Sequence, residues 1–263
     1  MRSGSFGILD WVAVAGYVLV ILGIGFWGTR RSDTSDDYFL AGRSISWPLT
    51  GLSLFATNMS GSTLVGLIGG AYQMGLVIYN YEWTAVVALL VLIFFFLPVY
   101  RRLGITTAPA FLEYRFDVRT QKYFSALALT GNVLIDMAGT LYAGAIVMRV
   151  VLPTLSLEVC VGVLALLAGM YAIAGGLRAA VYTDVLQGVL LLAGTACVSA
   201  AAYWQVGGWG AVESATTPSM RNLILPANSE VLPWPGLCTG LMLLGVYYWC
   251  INQVMVQRTM AAR

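Results

Sequence analysis

The sequence has 263 residues, of which 59% are hydrophobic and 10% charged, and its mean hydropathy is +0.80. Soluble domains carry about 25% charged residues, so this composition excludes a soluble fold. The net charge of +2 is too small for the basic surface that nucleic-acid binding requires. The sequence contains no histidine, which excludes catalysis by imidazole and metal sites with histidine ligands. An enzyme is therefore not expected.

Seven apolar stretches are long enough to cross a membrane, which takes about 20 residues in a helix. They are separated by charged residues, by Pro and Gly, and by longer polar segments. The first stretch is too long for a signal peptide and is expected to remain as a span. The sequence thus predicts an all-α integral membrane protein with spans at 8–27, 47–72, 78–100, 123–149, 157–175, 179–205 and 236–258.

Lysine and arginine are distributed unequally between the two sides of these spans. Arg2, Arg149 and Arg221 lie on the side of the N-terminus, and the other 11 basic residues lie on the opposite side. Because short basic loops stay in the cytoplasm, we expect the N-terminus outside and residue 263 inside. The sequence therefore predicts a multi-pass protein of the cell membrane.

The second span contains polar and small residues where a lipid-facing helix would have Leu or Val. Residues 53–63 read Ser-Leu-Phe-Ala-Thr-Asn-Met-Ser-Gly-Ser-Thr, and such side chains compete with the helix for backbone hydrogen bonds. One interpretation is a face of small residues on which neighbouring helices pack closely. The other is an unwound stretch whose freed carbonyls bind a cation such as sodium, as in secondary transporters.

Three of the acidic residues within the predicted spans bear on these two interpretations. Asp136 is near the middle of the fourth span, where a carboxylate is costly unless it faces the bundle interior. We expect it in a polar core, either with a functional role or as a protonated or paired structural group. Glu82 is one turn inside the third span and Asp184 is near the start of the sixth, so an interfacial position and helix capping are the simplest explanations for these two.

The seventh span has aromatic residues at its centre, Tyr247, Tyr248 and Trp249. Trp and Tyr are usually found at the membrane interface instead. Three of them at mid-depth indicate either a tightly packed core or a platform for a ligand such as a sugar ring.

Six segments in order along nearly the whole chain resemble the sodium/solute symporter family, nearest to its sodium/glucose cotransporter branch. The resemblance implies a LeuT-type fold, in which an extra helix precedes two inverted repeats of five helices. The segments are 38–43 (Tyr-Phe-Leu-Ala-Gly-Arg), 56–60 (Ala-Thr-Asn-Met-Ser), 81–83 (Tyr-Glu-Trp), 171–177 (Tyr-Ala-Ile-Ala-Gly-Gly-Leu), 182–187 (Tyr-Thr-Asp-Val-Leu-Gln) and 252–258 (Asn-Gln-Val-Met-Val-Gln-Arg).

The resemblance implies how the spans are organised within a single transmembrane domain, 1–263. Residues 8–27 would be the extra helix, 47–205 the first five-helix repeat and 236–258 the start of the second repeat. The other helices of the second repeat have no counterpart here, so we expect an incomplete, C-terminally truncated transporter.

The resemblance also implies which residues bind sodium. Ala56 and Met59 match positions whose backbone carbonyls bind the ion at the break in the first core helix. Asp184 matches a carboxylate implicated in sodium passage. Sodium is the only metal ion implied, and no cofactor is expected.

The solute-binding positions follow from the same resemblance. Asn58 and Glu82 match sugar-contacting positions, and Tyr248, with Trp249 beside it, matches the aromatic residue that closes the sugar site from the cytoplasmic side. Thr63 is assigned to the solute site too, although sugar transporters carry a longer polar side chain there. Two further departures weaken the implication of any particular sugar: Ala85 replaces a small hydroxyl residue, and Gly245 replaces an amide.

The expected function is sodium-coupled uptake of a small neutral polar solute, a sugar or polyol, by alternating access. The partners would be sodium, this solute and the lipid bilayer, without nucleic acid. Other substrates of the family, such as proline, other amino acids, monocarboxylates and sialic acids, remain open. A non-transporting sensor module or an inactive fragment is the alternative from a different class.

Overall fold

The computed structural model describes residues 7–29, 34–105 and 107–263. The regular structure of these residues is helical, and their only β-pairings are isolated bridges of Ile45 with Ala262 and of Leu225 with Pro233. The expectation of an all-α fold is confirmed. Three of the basic residues counted in the charge asymmetry lie outside the described part of the chain: Arg2, Arg30 and Arg31.

The helices follow the order of the predicted spans. The first seven are α1 (Ile8–Thr29), α2 (Ser35–Leu40), α3 (Trp47–Asn58), α4 (Gly61–Met74), α5 (Asn80–Val91), α6 (Leu97–Leu103) and α7 (Ala108–Arg115). The next seven are α8 (Val118–Gly131), α9 (Ala138–Val151), α10 (Leu157–Val206), α11 (Trp209–Ala215), α12 (Trp234–Gly236), α13 (Met242–Val246) and α14 (Gln253–Met260). Turns of π-helix lie at Leu92–Phe96, Asn132–Met137, Leu237–Leu241 and Tyr247–Ile251.

Glycine breaks separate spans that are close in the sequence. Gly75, with φ 81°, separates α4 from α5, and Gly176, with φ 58°, interrupts α10. Glycine adopts positive φ without the steric cost that a Cβ brings. Among the described residues, five helical stretches are long and apolar enough to cross a membrane: Ile8–Trp27, Thr63–Leu103, Val118–Val151, Gly175–Val206 and Trp234–Ile251, with Leu157–Met170 as a shorter apolar helix.

The chain forms two compact units. The first unit contains the described residues of Met1–Ser62, together with Leu127–Gly188 and Ala261–Arg263. The second unit contains Thr63–Ala126 and Val189–Met260, as far as they are described. Each unit therefore combines segments that are distant in the sequence.

In the first unit, the segment before α3 packs against the residues that follow Gly176 and against residues 261–263. The Ile45 amide donates to the Ala261 carbonyl at 3.2 Å, and the Arg263 amide donates to the Ile45 carbonyl at 2.8 Å. Arg178 Nη2 donates to the Ala41 carbonyl at 3.0 Å. The seven-span arrangement predicts these three segments on one side of the membrane, in agreement with their contacts.

In the second unit, the turn between α4 and α5 is covered by the segment after α11. Asn80 Nδ2 donates to the Leu223 carbonyl at 2.6 Å. A Cβ on Gly75 would lie 2.1 Å from the Met220 carbonyl oxygen, so only glycine fits against this backbone. The seven-span arrangement predicts these two segments together on the other side, which again agrees with their contacts.

Candidate ion and solute site

The second predicted span is broken in the middle. α3 ends at Asn58, α4 begins at Gly61, and Met59 between them is not helical, with φ −87° and ψ 73°. The Ser60 amide donates to the Asn58 carbonyl at 3.1 Å, whereas in a continuous helix it would donate to Ala56, four residues back. The prediction of an unwound stretch is confirmed, and the Ala56 carbonyl is released from its helical partner.

The close-packing interpretation holds at one position beside the break. A Cβ on Gly61 would lie 3.9 Å from the backbone nitrogen of Gly144 in α9. The small residue therefore allows the beginning of α4 to approach α9, as expected for glycine faces in membrane helices. Unwinding and close packing occur in the same segment.

The carboxylate of Asp184 lies against α3. Its Oδ2 accepts hydrogen bonds from Ser53 Oγ at 2.6 Å and from Thr57 Oγ1 at 3.2 Å. Ser53 and Thr57 are one turn apart and lie on the same face of α3, and Ser53 is fully buried. These two hydroxyls were not identified as partners of Asp184 from the sequence, since only their place in the polar stretch 53–63 marked them.

Helix capping does not explain Asp184. The residue lies about two turns beyond Gly176, within a helical stretch that continues to Val206. Its Oδ2 accepts hydrogen bonds from side chains of another helix, α3. The capping interpretation is therefore wrong, and Asp184 is part of the contact between α3 and α10.

Gly188 brings α10 close to the residues beside the break. A Cβ at this position would lie 3.3 Å from the Cβ of Ala56 and 3.5 Å from the Leu52 carbonyl oxygen. Because Gly188 lies one turn after Asp184, both face α3. Ala56, whose carbonyl is released at the break, thus lies beside the helix face that carries the acidic group.

Asp136 lies in the π-helical turn Asn132–Met137, and its side chain is exposed in the described part of the chain. The packing of the described residues does not place it in a polar core. A role for Asp136 remains a prediction.

The other solute residues assigned from the sequence belong to the second unit, whereas Asn58 belongs to the first. Thr63 is in the first turn of α4 and Glu82 in the first turn of α5, and both are half-buried. The ring of Tyr248, also half-buried, contacts that of Trp249 edge to face, with centroids 5.4 Å apart. Trp249 is only 7% exposed, so it contributes to core packing as well.

The seventh span also has a break, which the sequence pattern did not predict. The turn Tyr247–Ile251 ends at Asn252, which has ψ 128°, and α14 begins at the next residue. Asn252 Oδ1 accepts a hydrogen bond from the Val254 amide at 2.9 Å, as expected of an asparagine that caps a helix. At this break Gln253 Oε1 is buried and accepts no hydrogen bond from the described residues. The capping preference of asparagine was the available signal.

Gly245, one of the departures from the sugar-transporter pattern, faces the neighbouring helix α5. A Cβ on Gly245 would lie 3.5 Å from the Cβ of Ala88 and 3.9 Å from the Thr84 carbonyl oxygen. A side chain at position 245 would therefore begin in van der Waals contact with α5, which lies beside α13.

The fold and the two broken spans define a multi-pass membrane protein of the LeuT type. The sodium:solute symporter family model matches residues 38–263, and the chain belongs to this family.

Relatives of known identity match almost all of this chain. It is 33% identical over 274 residues to sodium/glucose cotransporter 1 of Oryctolagus cuniculus, a match that covers 94% of this chain and 41% of the relative. It is 34% identical over 275 residues to the sodium/glucose cotransporter of Vibrio parahaemolyticus, covering 98% and 50%, respectively. The chain thus spans about half the length of the curated relatives it matches.

A solved structure has the same fold over nearly the whole chain. It is a Na+-coupled sialic acid symporter in a substrate-bound outward-open state, with a TM-score of 0.87 at 26% identity. The match covers 98% of this chain and 54% of the symporter.

Proposed function

We propose that this chain belongs to a sodium-coupled symporter that takes up a small neutral polar solute, a sugar or polyol, by alternating access. The observation that carries the proposal is the break after Asn58, beside a helix face that bears the carboxylate of Asp184. Interrupted helices near the membrane midplane supply ion and substrate sites in secondary transporters. The protein is accordingly a transporter rather than an enzyme.

The break supplies groups suited to sodium. Hard cations prefer oxygen ligands such as backbone carbonyls and carboxylates. The Ala56 carbonyl is released by the changed hydrogen bond of Ser60, and Met59 lies outside both helices. We assign these two carbonyls to the sodium site, with Asp184 as the nearby negative charge that favours passage of the ion.

The solute would be bound by polar and aromatic groups. The amide of Asn58 and the carboxylate of Glu82 provide the donors and acceptors that a polyhydroxy compound requires. The half-buried ring of Tyr248, packed on Trp249, offers an apolar face suited to a sugar ring. Thr63 is proposed as a further solute residue on the family resemblance alone.

A neutral solute is favoured over an anionic one. An anion such as a sialic acid would require a positive group close by, and the lysines and arginines of the first six predicted spans lie near the span ends. The sodium/glucose cotransporters among the relatives support a sugar.

The coupling would follow from a difference in sodium affinity between two conformations. Sodium would bind first and favour the outward-open state, so that the solute meets a formed site. The excess of basic residues on one side supports an outside N-terminus and a cytoplasmic residue 263.

The test is uptake by the natural polypeptide that carries this sequence, reconstituted in proteoliposomes. We expect an inward sodium gradient, but not a potassium gradient, to drive uptake of at least one radiolabelled sugar or polyol from a panel that includes proline, a monocarboxylate and a sialic acid. Uptake that is indifferent to the replacement of sodium by potassium would refute the proposal. Sodium-driven uptake of only a charged solute would refute the sugar assignment.

Two variants test the assigned solute residues. Asn58→Ala and Glu82→Ala should abolish solute uptake and retain sodium binding, measured as stabilisation of the protein by sodium. Asn228→Ala and Glu230→Ala make the same chemical changes at exposed positions of the segment after α11 and should transport normally. Unchanged uptake by Asn58→Ala and Glu82→Ala would contradict the assignment of these two residues to solute binding.

A further inference from the structure

Tyr100 in α6 makes a hydrogen bond to the backbone of the seventh span. Its side chain is only 2% exposed, and its hydroxyl donates to the Cys250 carbonyl at 2.9 Å. Phe96 and Phe111 contact the ring edge to face, each with its centroid 5.8 Å from that of Tyr100. Such aromatic contacts favour one orientation of the ring, so the hydroxyl is directed at this carbonyl.

The Cys250 carbonyl loses its helical partner at the break. In a continuous helix it would accept the Val254 amide, but that amide donates to Asn252 Oδ1. A carbonyl without a donor is costly inside a membrane, where water does not replace the lost hydrogen bond. The Tyr100 hydroxyl supplies the missing donor.

Cys250 is held from a second direction as well. Its thiol donates to the Ala88 carbonyl of α5 at 3.5 Å, and neither residue has exposed surface. Gly245, earlier in the same span, packs on Ala88. The backbone immediately before the break is therefore attached to α5 and to α6.

We propose that Tyr100 is a positioning residue of the solute site. By holding the Cys250 carbonyl, it fixes the backbone of the seventh span just before the break. It thereby sets the orientation of Tyr248 and Trp249, the two residues before Cys250, toward the solute. The role of these two aromatic residues rests on the function proposed above, whereas the attachment of Cys250 by Tyr100 does not.

The test uses Tyr100→Phe, which removes one oxygen atom and keeps the buried ring. Tyr123→Phe is the matched control, because Tyr123 lies in α8 and is 71% exposed. Both variants are made in the natural polypeptide that carries this sequence. Three quantities are measured: the rate at which N-ethylmaleimide modifies Cys250, followed by mass spectrometry of its peptide; KM and Vmax for radiolabelled D-glucose at saturating sodium; and the melting temperature.

For Tyr100→Phe we expect Cys250 to be modified about five times faster and KM for glucose to rise about fivefold, the effect of losing one hydrogen bond. Vmax should stay close to that of the parent, and the melting temperature should fall, because the buried Cys250 carbonyl is left without a donor. Tyr123→Phe should match the parent in all three measurements.

An unchanged modification rate of Cys250 overturns the inference, whatever happens to uptake. Faster modification with an unchanged KM also overturns it, since the hydrogen bond would then hold the backbone without positioning the aromatic residues. If the parent protein takes up no glucose, that solute assignment fails separately, and the modification rate alone decides whether Tyr100 holds the break.

Discussion

The hydroxyl of Ser53 donates a hydrogen bond to the carboxylate of Asp184 across 2.6 Å, although the two residues are 131 positions apart in the sequence. A carboxylate inside a membrane protein is costly unless polar groups surround it. Ser53, with Thr57 one turn later, supplies such groups from the helix that ends at the break. The acidic group is thereby attached to α3.

Removal of this hydroxyl should weaken sodium binding. Hydrogen bonds to charged groups contribute about 1.5–3 kcal/mol, so Ser53→Ala should raise the sodium concentration for half-maximal uptake by about tenfold or more. Thr57→Val removes the longer bond of 3.2 Å and should have a smaller effect. Ser199→Ala, an exposed serine in α10, is the control. An unchanged sodium dependence in Ser53→Ala contradicts a role in holding Asp184.

A large side chain at Gly188 should separate α10 from α3. A Cβ there already lies 3.3 Å from that of Ala56, and overpacking of this kind costs about 1–3 kcal/mol. Gly188→Leu is expected to lower the melting temperature in detergent and to reduce sodium-driven uptake. Gly194→Leu, in the same helix with nothing within 4 Å of its Cβ, should do neither. Equal effects of the two substitutions speak against close packing at Gly188.

The break in α10 should depend on glycine at position 176. This residue has φ 58° and ψ −158°, a conformation that other residues adopt only with strain of about 1–3 kcal/mol. A Cβ would also lie 2.7 Å from the Tyr38 carbonyl oxygen. Gly176→Ala should therefore lower the melting temperature, whereas Gly169→Ala, where the Cβ meets open space, should leave it unchanged or slightly higher. Normal stability of Gly176→Ala would show that this conformation is not required.

The contribution of Asp117 to stability should depend on pH. Its Oδ1 accepts hydrogen bonds from the hydroxyl of Thr120 at 2.6 Å and from the Thr120 amide at 2.8 Å, just before α8. These bonds, the hydroxyl first, lower the pKa of Asp117. The stabilisation is therefore fully present above the unfolded-state pKa of about 3.9 and is lost as the pH falls through the lower folded-state value.

The measurement is the melting temperature of the parent and of Asp117→Ala as a function of pH. The difference between them should be constant near neutral pH and shrink once the pH falls below about 4. Glu113→Ala, at an exposed position in α7, serves as the control for general effects of losing a negative charge. A difference that does not change with pH rules out the carboxylate as the stabilising group.

The spans and one of the two breaks follow from the sequence because they depend on local properties. Apolar stretches between charged residues predict helices in lipid, and the hydroxyl and amide residues of 53–63 predict the interruption after Asn58. The break at Asn252 was missed because aromatic and apolar residues precede it, and a single asparagine is a weak signal. The local pattern there is that of an ordinary span.

The sequence by itself determined a helical membrane protein, its family and the break of the second span, since hydropathy, propensity and short motifs act over a few neighbouring residues. Only the tertiary structure decided the partners: Ser53 for Asp184 and Tyr100 for the Cys250 carbonyl. Such contacts join residues more than a hundred positions apart, and they form only where helix packing brings a donor within reach of an acceptor.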